Sequence, residues 1–241
     1  FGGKMPIYKI ANINIKINPR SQYLTTLLID YETDENDFDF TVTVTENDII
    51  NEKEIAPNFP DFLYESSATL RKISKEIFNN YNGVLFHSVA IEYRGKAYIF
   101  TAKSGTGKTT HIMLWKKCLG DKVKIINGDK PFIRFINDKS IVFGCPWQGK
   151  ENLGEKTSCE LGGIFFLQRA KENSVETLPK EKSLFPLLNA CDFPKNSIGK
   201  IKAMDFIEKL TKNIPVFLLK CNMDDDACYT ALSAIGEENE N

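Results

Sequence analysis

The sequence contains no apolar run that reaches the roughly 18 residues a membrane helix requires. That excludes a helical membrane span. No N-terminal stretch has the pattern of a signal peptide, and residues 1–4 precede Met5-Pro6, so Met5 is read as the native start. Charge of one sign is also missing. Lysine and arginine number 31 against 32 acidic residues, and the two kinds are interspersed. A net charge of −1 without a basic patch argues against DNA, RNA or anionic lipid as a partner. The six cysteines, at 118, 145, 159, 191, 221 and 228, form no CxxC pair and no zinc-finger spacing with histidine. They are read as reduced, mostly buried thiols of a cytoplasmic protein. There is no internal repeat, and no low-complexity segment apart from the Glu/Asn tail.

What is present is an ordinary globular composition, 42 % apolar and 26 % charged over 241 residues. That is enough for one large domain, or for one domain with a small partner. Ile13, Ile15 and Ile17 alternate with polar residues, as do Phe38, Phe40, Val42 and Val44. Both runs predict half-buried strands. Leu70, Ile73, Ile77 and Tyr81 follow helical spacing, with Ser66 or Ser67 as the cap. Residues 5–82 are therefore expected to be mainly β, closed by a helix. From residue 83 the elements come closer together. Strands are expected over 83–93 and 96–101, a helix from Lys108 to about Leu119, and a strand over 123–126. Two short strands follow, around 132–136 and 140–144. Then come a long loop over 145–158, a strand over 164–167, helices at 180–191, 197–213 and 224–235, and a strand at 215–220.

Between strand 96–101 and its helix lies Ser104-Gly105-Thr106-Gly107-Lys108-Thr109-Thr110. Glycines let several backbone N–H groups point into one concavity. The helix that follows adds its unpaired donors and its positive end. Lys108 is placed to neutralise the β- and γ-phosphates, and the Thr109 hydroxyl to bind Mg²⁺. The usual motif opens with glycine six residues before the lysine, where this chain has Ala102. Alanine adopts the needed backbone if φ is negative. A Mg²⁺–nucleotide site also needs a carboxylate on a neighbouring strand. Asp129, 20 residues after Thr109, ends the next apolar segment at a distance that suits one helix and a return strand. His87 lies on the strand before the loop.

The stretch from His87 to Thr110 resembles the ATP-dependent phosphoenolpyruvate carboxykinases and the catalytic domain of HPr kinase/phosphorylase. It is most similar to a less-characterised bacterial group of HPr-kinase-like proteins. The features that carry this are Asn127-Gly128-Asp129-Lys130-Pro131, Gly144-Cys145-Pro146-Trp147-Gln148-Gly149-Lys150, a strand over 161–169 and Cys221-Asn222-Met223-Asp224. The resemblance covers about residues 83–232. It implies an α/β fold with a P-loop core on a mixed, largely antiparallel sheet over 83–236. It also implies ATP with Mg²⁺ (or Mn²⁺), Lys108 on the β/γ-phosphates, Thr109 and Asp129 on the metal, and His87 beside the reacting groups.

Two departures limit what carries over. The families place two adjacent aspartates where this chain has Gly128-Asp129, and the first is the one thought to act as base on the acceptor hydroxyl. The arginine motifs that hold oxaloacetate and the HPr-docking signature are both missing. The expected activity is transfer of the γ-phosphate to a hydroxyl of a small molecule or peptide, with Asp129, His87 and Lys108 as the catalytic residues. Trp147 and Lys150 are the candidate acceptor contacts in the closing loop. If the absent carboxylate is what limits the site, Gly128→Asp should preserve or raise transfer. The competing expectation is a nucleotide-binding regulator with little catalysis. Residues 5–82 are left with three roles: a cap on the site, substrate recognition, or a homo-oligomer contact.

Overall fold

A computed structural model of the chain describes residues 5–236. They form two compact units that divide between Tyr81 and Asn82. In the first unit, β1 (Ile7–Ile10) and β2 (Ile13–Ile17) make a hairpin. Ala11 and Asn12 turn it, both at positive φ, as a tight two-residue hairpin requires. Then come α1 (Gln22–Leu28), β3 (Glu32–Thr33), β4 (Phe40–Val42), α2 (Glu46–Ile55) and α3 (Asp61–Asn80). The sheet order is β3-β1-β2-β4, with β4 parallel to β2.

This unit is not mainly β, because three helices accompany its short strands. Of the two extra helices, α1 is only seven residues long, with Leu24 and Leu28 buried, and α2 carries no apolar stripe that periodicity could detect. Only Glu52 of α2 is buried, and its carboxylate takes the guanidinium of Arg71 on α3. The start of α2 is marked instead by a capping box between Thr45 and Asp48. Helix α3 also begins earlier than predicted. Ser66 is buried inside it, and the Glu65 carboxylate accepts from the N–H groups of Arg20 and Ser21 at the start of α1.

The second unit contains β5 (Gly83–Phe86), β6 (Val89–Tyr93), β7 (Lys96–Thr101), α4 (Lys108–Leu119), β8 (Val123–Asn127), β9 (Phe132–Ile136) and β10 (Lys139–Phe143). It continues with β11 (Ser158–Arg169), β12 (Ser174–Thr177), α5 (Lys180–Ala190), β13 (Cys191–Asp192), α6 (Ser197–Asn213), β14 (Val216–Cys221) and α7 (Asp226–Ala234). The sheet runs β13-β5-β9-β10-β11-β7-β6-β8, with β14 beside β11 and β12 outside β14. It is mixed. β7–β11 and β11–β14 are parallel, and the other pairs are antiparallel.

Strand direction decides where the site lies. β7, β11 and β14 run the same way, and β8 joins them because β7 and β8 are both antiparallel to β6. The C-terminal ends of β7, β8, β11 and β14 and the start of β6 therefore share one edge of the sheet. Helices α4 and α7 cover a core of Val89, Ile91, Phe100, Ile112, Trp115, Phe165, Leu219, Cys228 and Ala231. That packing holds the N-terminus of α4 at this edge.

The expected strand over 83–93 is two strands. At Phe86 and His87 the chain leaves its pairing with β9 and β13 and passes to β7 and β8. The Phe86 N–H donates to the Pro131 carbonyl (2.9 Å) and the His87 N–H to the Ala190 carbonyl (2.7 Å). The apolar residues on either side of His87-Ser88 hide such a change of neighbour, because both strands are buried. Strand β11 is likewise longer than the 164–167 predicted, because its ends carry exposed or half-buried residues.

Candidate active site

The loop between β7 and α4 is built by its glycines. Gly105 and Gly107 have φ of 77° and 116°, in the region that side chains avoid. Ala102 is not among the residues at positive φ, so the departure from glycine there costs no backbone strain. The Thr106 N–H closes a turn on the Lys103 carbonyl (3.2 Å). Lys108 reaches back across the loop, its Nζ donating to the Ala102 carbonyl (3.2 Å). Burial holds the Lys108 ammonium below its ordinary pKa, and the nearby Asp129 carboxylate opposes that shift.

A cleft of about 900 Å³ opens at the sheet edge. All seven residues 104–110 line it, together with His87, Gly128 and Asp129. Gly149, Lys150 and Glu151 also line it, as do the apolar Leu114, Leu167, Ala170 and Met223, with Arg169 and Cys221. Lys150 is therefore at the site. Trp147, expected as an acceptor wall, is not among the lining residues, and its carbonyl instead accepts from Asn127 Nδ2 at 3.3 Å.

His87 Nε2 lies 3.6 Å from an Asp129 oxygen, too far for a good hydrogen bond. The Thr101 hydroxyl donates to the His87 carbonyl (3.0 Å), and the Ser88 N–H donates to the Asp129 carbonyl (3.0 Å). These bonds tie the start of β6 to both flanking strand ends. Burial lowers the His87 pKa, and the Lys108 and Lys130 ammoniums lower it further, against the pull of Asp129. The imidazole is accordingly neutral near pH 7.

Two residues that position the site were not singled out from the sequence. Asn127, at the end of β8, is fully buried and uses both ends of its amide. Its Nδ2 donates to the Cys145 and Trp147 carbonyls (3.1 and 3.3 Å). Its Oδ1 accepts from the N–H groups of Asp129 and Lys130 (2.9 and 2.7 Å). The signal was visible, since Asn-Gly-Asp marks an Asx-type turn, but the long-range half of the network depends on tertiary structure. Asn127→Ala strands these buried groups at roughly 1–3 kcal/mol each if left unpaired. Chemical denaturation is expected to show a loss within that range or larger. Unchanged stability would mean that the network contributes nothing.

The other is Arg169, at the end of β11. Its Nε donates to the Thr106 carbonyl (3.0 Å) and its Nη2 to the Gly105 carbonyl.

The place of the absent first aspartate is explained by packing. The loop over 144–157 is pinned at its ends by the Gly144 N–H to Thr157 carbonyl bond (2.9 Å), and Asn127 bridges to Gly154 within it. Its backbone presses on Gly128. A Cβ there would lie 2.7 Å from the Gln148 carbonyl oxygen and 2.9 Å from that of Leu153. The expectation that Gly128→Asp restores a carboxylate is therefore corrected, because loop backbone fills that space.

Among the described residues no group of three or more His, Cys, Asp or Glu is arranged to hold a metal. One carboxylate (Asp129) and one hydroxyl (Thr109) facing a shared cleft nevertheless suit Mg²⁺, which commonly takes its remaining ligands from substrate phosphates and water. No helix among the described residues is long and apolar enough to cross a membrane.

No family model matches the chain, and no curated protein matches it. Among solved structures, the HPr(Ser) kinase/phosphatase from Coxiella burnetii aligns with 57 % of this chain and 79 % of its own, at 10 % identity and a TM-score of 0.32.

Proposed function

We propose that the chain is an ATP-dependent phosphotransferase of the HPr-kinase-like kind, acting on a hydroxyl of a small molecule or peptide. The observation that carries this reading is the convergence of the 104–110 loop, Lys108, Asp129 and His87 on one cleft at the sheet edge. The phosphates lie on the N–H groups of the loop and the end of α4. Lys108 and Asp129 would meet the γ-phosphate, and the apolar lining residues Leu114, Ala170 and Met223 would offer a surface to the nucleoside. Thr109 and Asp129 are the residues that would hold Mg²⁺, which would neutralise charge on the phosphates. Lys108 adds a fixed cation.

Catalysis in this arrangement is mainly positioning and charge stabilisation, because a loose phosphoryl-transfer transition state asks little of a base. The neutral His87 receives the acceptor proton. Lys150, which also lines the cleft, would meet an anionic group of the acceptor. A screen of metabolites and peptides with γ-labelled ATP tests the proposal. ADP should form only when an acceptor is present.

One observation favours a second reading, a nucleotide-binding regulator. The families' first acidic position is occupied here by Gly128, beneath loop backbone. Tight nucleotide binding without transfer to any acceptor would establish it.

Both readings require nucleotide on the loop. Lys108→Ala removes a charge-assisted contact worth about 1.5–3 kcal/mol. Affinity for Mg–ATP should fall roughly 10- to 100-fold. Calorimetry that finds no change would show that the loop is not the phosphate site.

A further inference from the structure

We infer that Arg169, in the wall of the cleft, is a positioning residue for nucleotide binding that acts by holding two carbonyls of the phosphate loop. The inference rests on the phosphate-binding reading of residues 104–110. The loop has two faces. One offers N–H groups such as that of Gly107, and the other offers carbonyls, which a residue of the cleft wall takes. Two successive carbonyls, those of Gly105 and Thr106, accept from the same guanidinium. Arginine suits this because its donors form a rigid planar fork.

The geometry has a chemical consequence. Each carbonyl belongs to the same peptide unit as the next residue's N–H. The Thr106 carbonyl is joined to the Gly107 N–H, at the N-terminal cap of α4. A cation on the carbonyl polarises that peptide and makes the N–H a stronger donor, since linked hydrogen bonds reinforce one another. The Gly105 carbonyl is joined in the same way to the Thr106 N–H, which closes the turn on Lys103. Arg169 therefore strengthens the donor offered to a phosphate oxygen and stiffens the turn that aims it. It does so across strands, from the end of β11, which is parallel to the strand that feeds the loop.

The positive φ values of Gly105 and Gly107 sharpen the argument. Backbone in that region has conformational freedom to lose when a ligand orders it. A loop already held by two bonds from the end of β11 loses less, so binding is stronger for the same contacts. The effect is uniform, on the nucleotide's ground state and on the transition state alike. It belongs in the affinity for nucleotide and not in the rate of transfer.

The test is calorimetric titration of Mg–ADP and Mg–ATP into wild type, Arg169→Ala, Arg169→Gln and Arg169→Lys. Amide spectra of the Thr106 and Gly107 N–H groups accompany it. Arg169 is exposed, so the variants are expected to fold. Arg169→Ala should weaken both nucleotides about tenfold, equivalent to about 1.4 kcal/mol. Arg169→Lys should restore part of that loss, and Arg169→Gln less. The Gly107 amide proton should move upfield in Arg169→Ala before any nucleotide is added. Once an acceptor is known, KM for ATP should rise while kcat at saturation stays at the wild-type value. The inference is overturned if Arg169→Ala binds both nucleotides within about twofold of wild type, or if the Gly107 amide does not shift. A fall in kcat at saturating ATP also overturns it, because it would mean that Arg169 reaches the reacting phosphate. If wild type itself binds neither nucleotide, the phosphate-site reading fails, and the inference with it.

Discussion

Asp129→Asn should abolish metal-dependent phosphoryl transfer while leaving the fold intact. Asparagine keeps the size of the side chain, and the backbone bonds from Asp129 N–H to Asn127 and from Ser88 N–H to the Asp129 carbonyl are preserved. What is lost is the negative charge that acts on Lys108 and His87. Two losses combine. The carboxylate no longer holds Mg²⁺ against the phosphates, and it no longer offers a second route for the acceptor proton. Acid–base assistance alone is worth about 10²–10⁴-fold, and the loss of metal binding adds to it. The measurement is transfer from γ-labelled ATP across a Mg²⁺ titration. Asp129→Asn running at the wild-type rate would show that the arrangement of the site is wrong. Recovery only at high Mg²⁺ would place the role of Asp129 in metal affinity.

Gly128→Asp should cost stability and lower any activity. The new Cβ meets the Gln148 and Leu153 carbonyl oxygens below 3.0 Å, closer than real side chains come. The neighbour in each case is backbone, which cannot swing aside like the end of a long side chain. The carboxylate also brings negative charge toward two carbonyl oxygens. Overpacking of this kind costs about 1–3 kcal/mol. The loop over 144–157 should loosen and become a site of proteolytic cleavage, and Lys150 should lose its place in the cleft. Chemical denaturation and limited proteolysis both report on this. Gly128→Ala makes the milder comparison, with the clash but without the charge. A stable Gly128→Asp protein with raised transfer would mean that the loop yields readily and that the missing carboxylate limited the rate.

Much of the second unit was legible because its signals are local. The alternation and apolar runs of β7 to β10, the limits of α4 and α6, and the loop from Ser104 to Thr110 each depend on a few adjacent residues. Glycine at 105 and 107 announces a backbone only glycine favours, and that requirement is satisfied in place. The first unit was harder to read. Helix α2 has no buried apolar face, so periodicity had nothing to register, and its start depends on a two-residue capping box.

From sequence alone came the chemistry of the loop, the helix that follows it, and the presence of a carboxylate at Asp129 and an imidazole at His87. Tertiary structure alone determined that these meet. β6 is antiparallel to both β7 and β8, so the ends of the two outer strands and the start of the middle one fall on one edge. It also brought Arg169 from 63 residues away onto the Thr106 carbonyl, and laid the loop over 144–157 on Gly128. A strand's residues state which faces it buries, but not which strand lies beside it or in which direction that strand runs. Those are properties of pairs distant in the chain, and the position of the site depends on them.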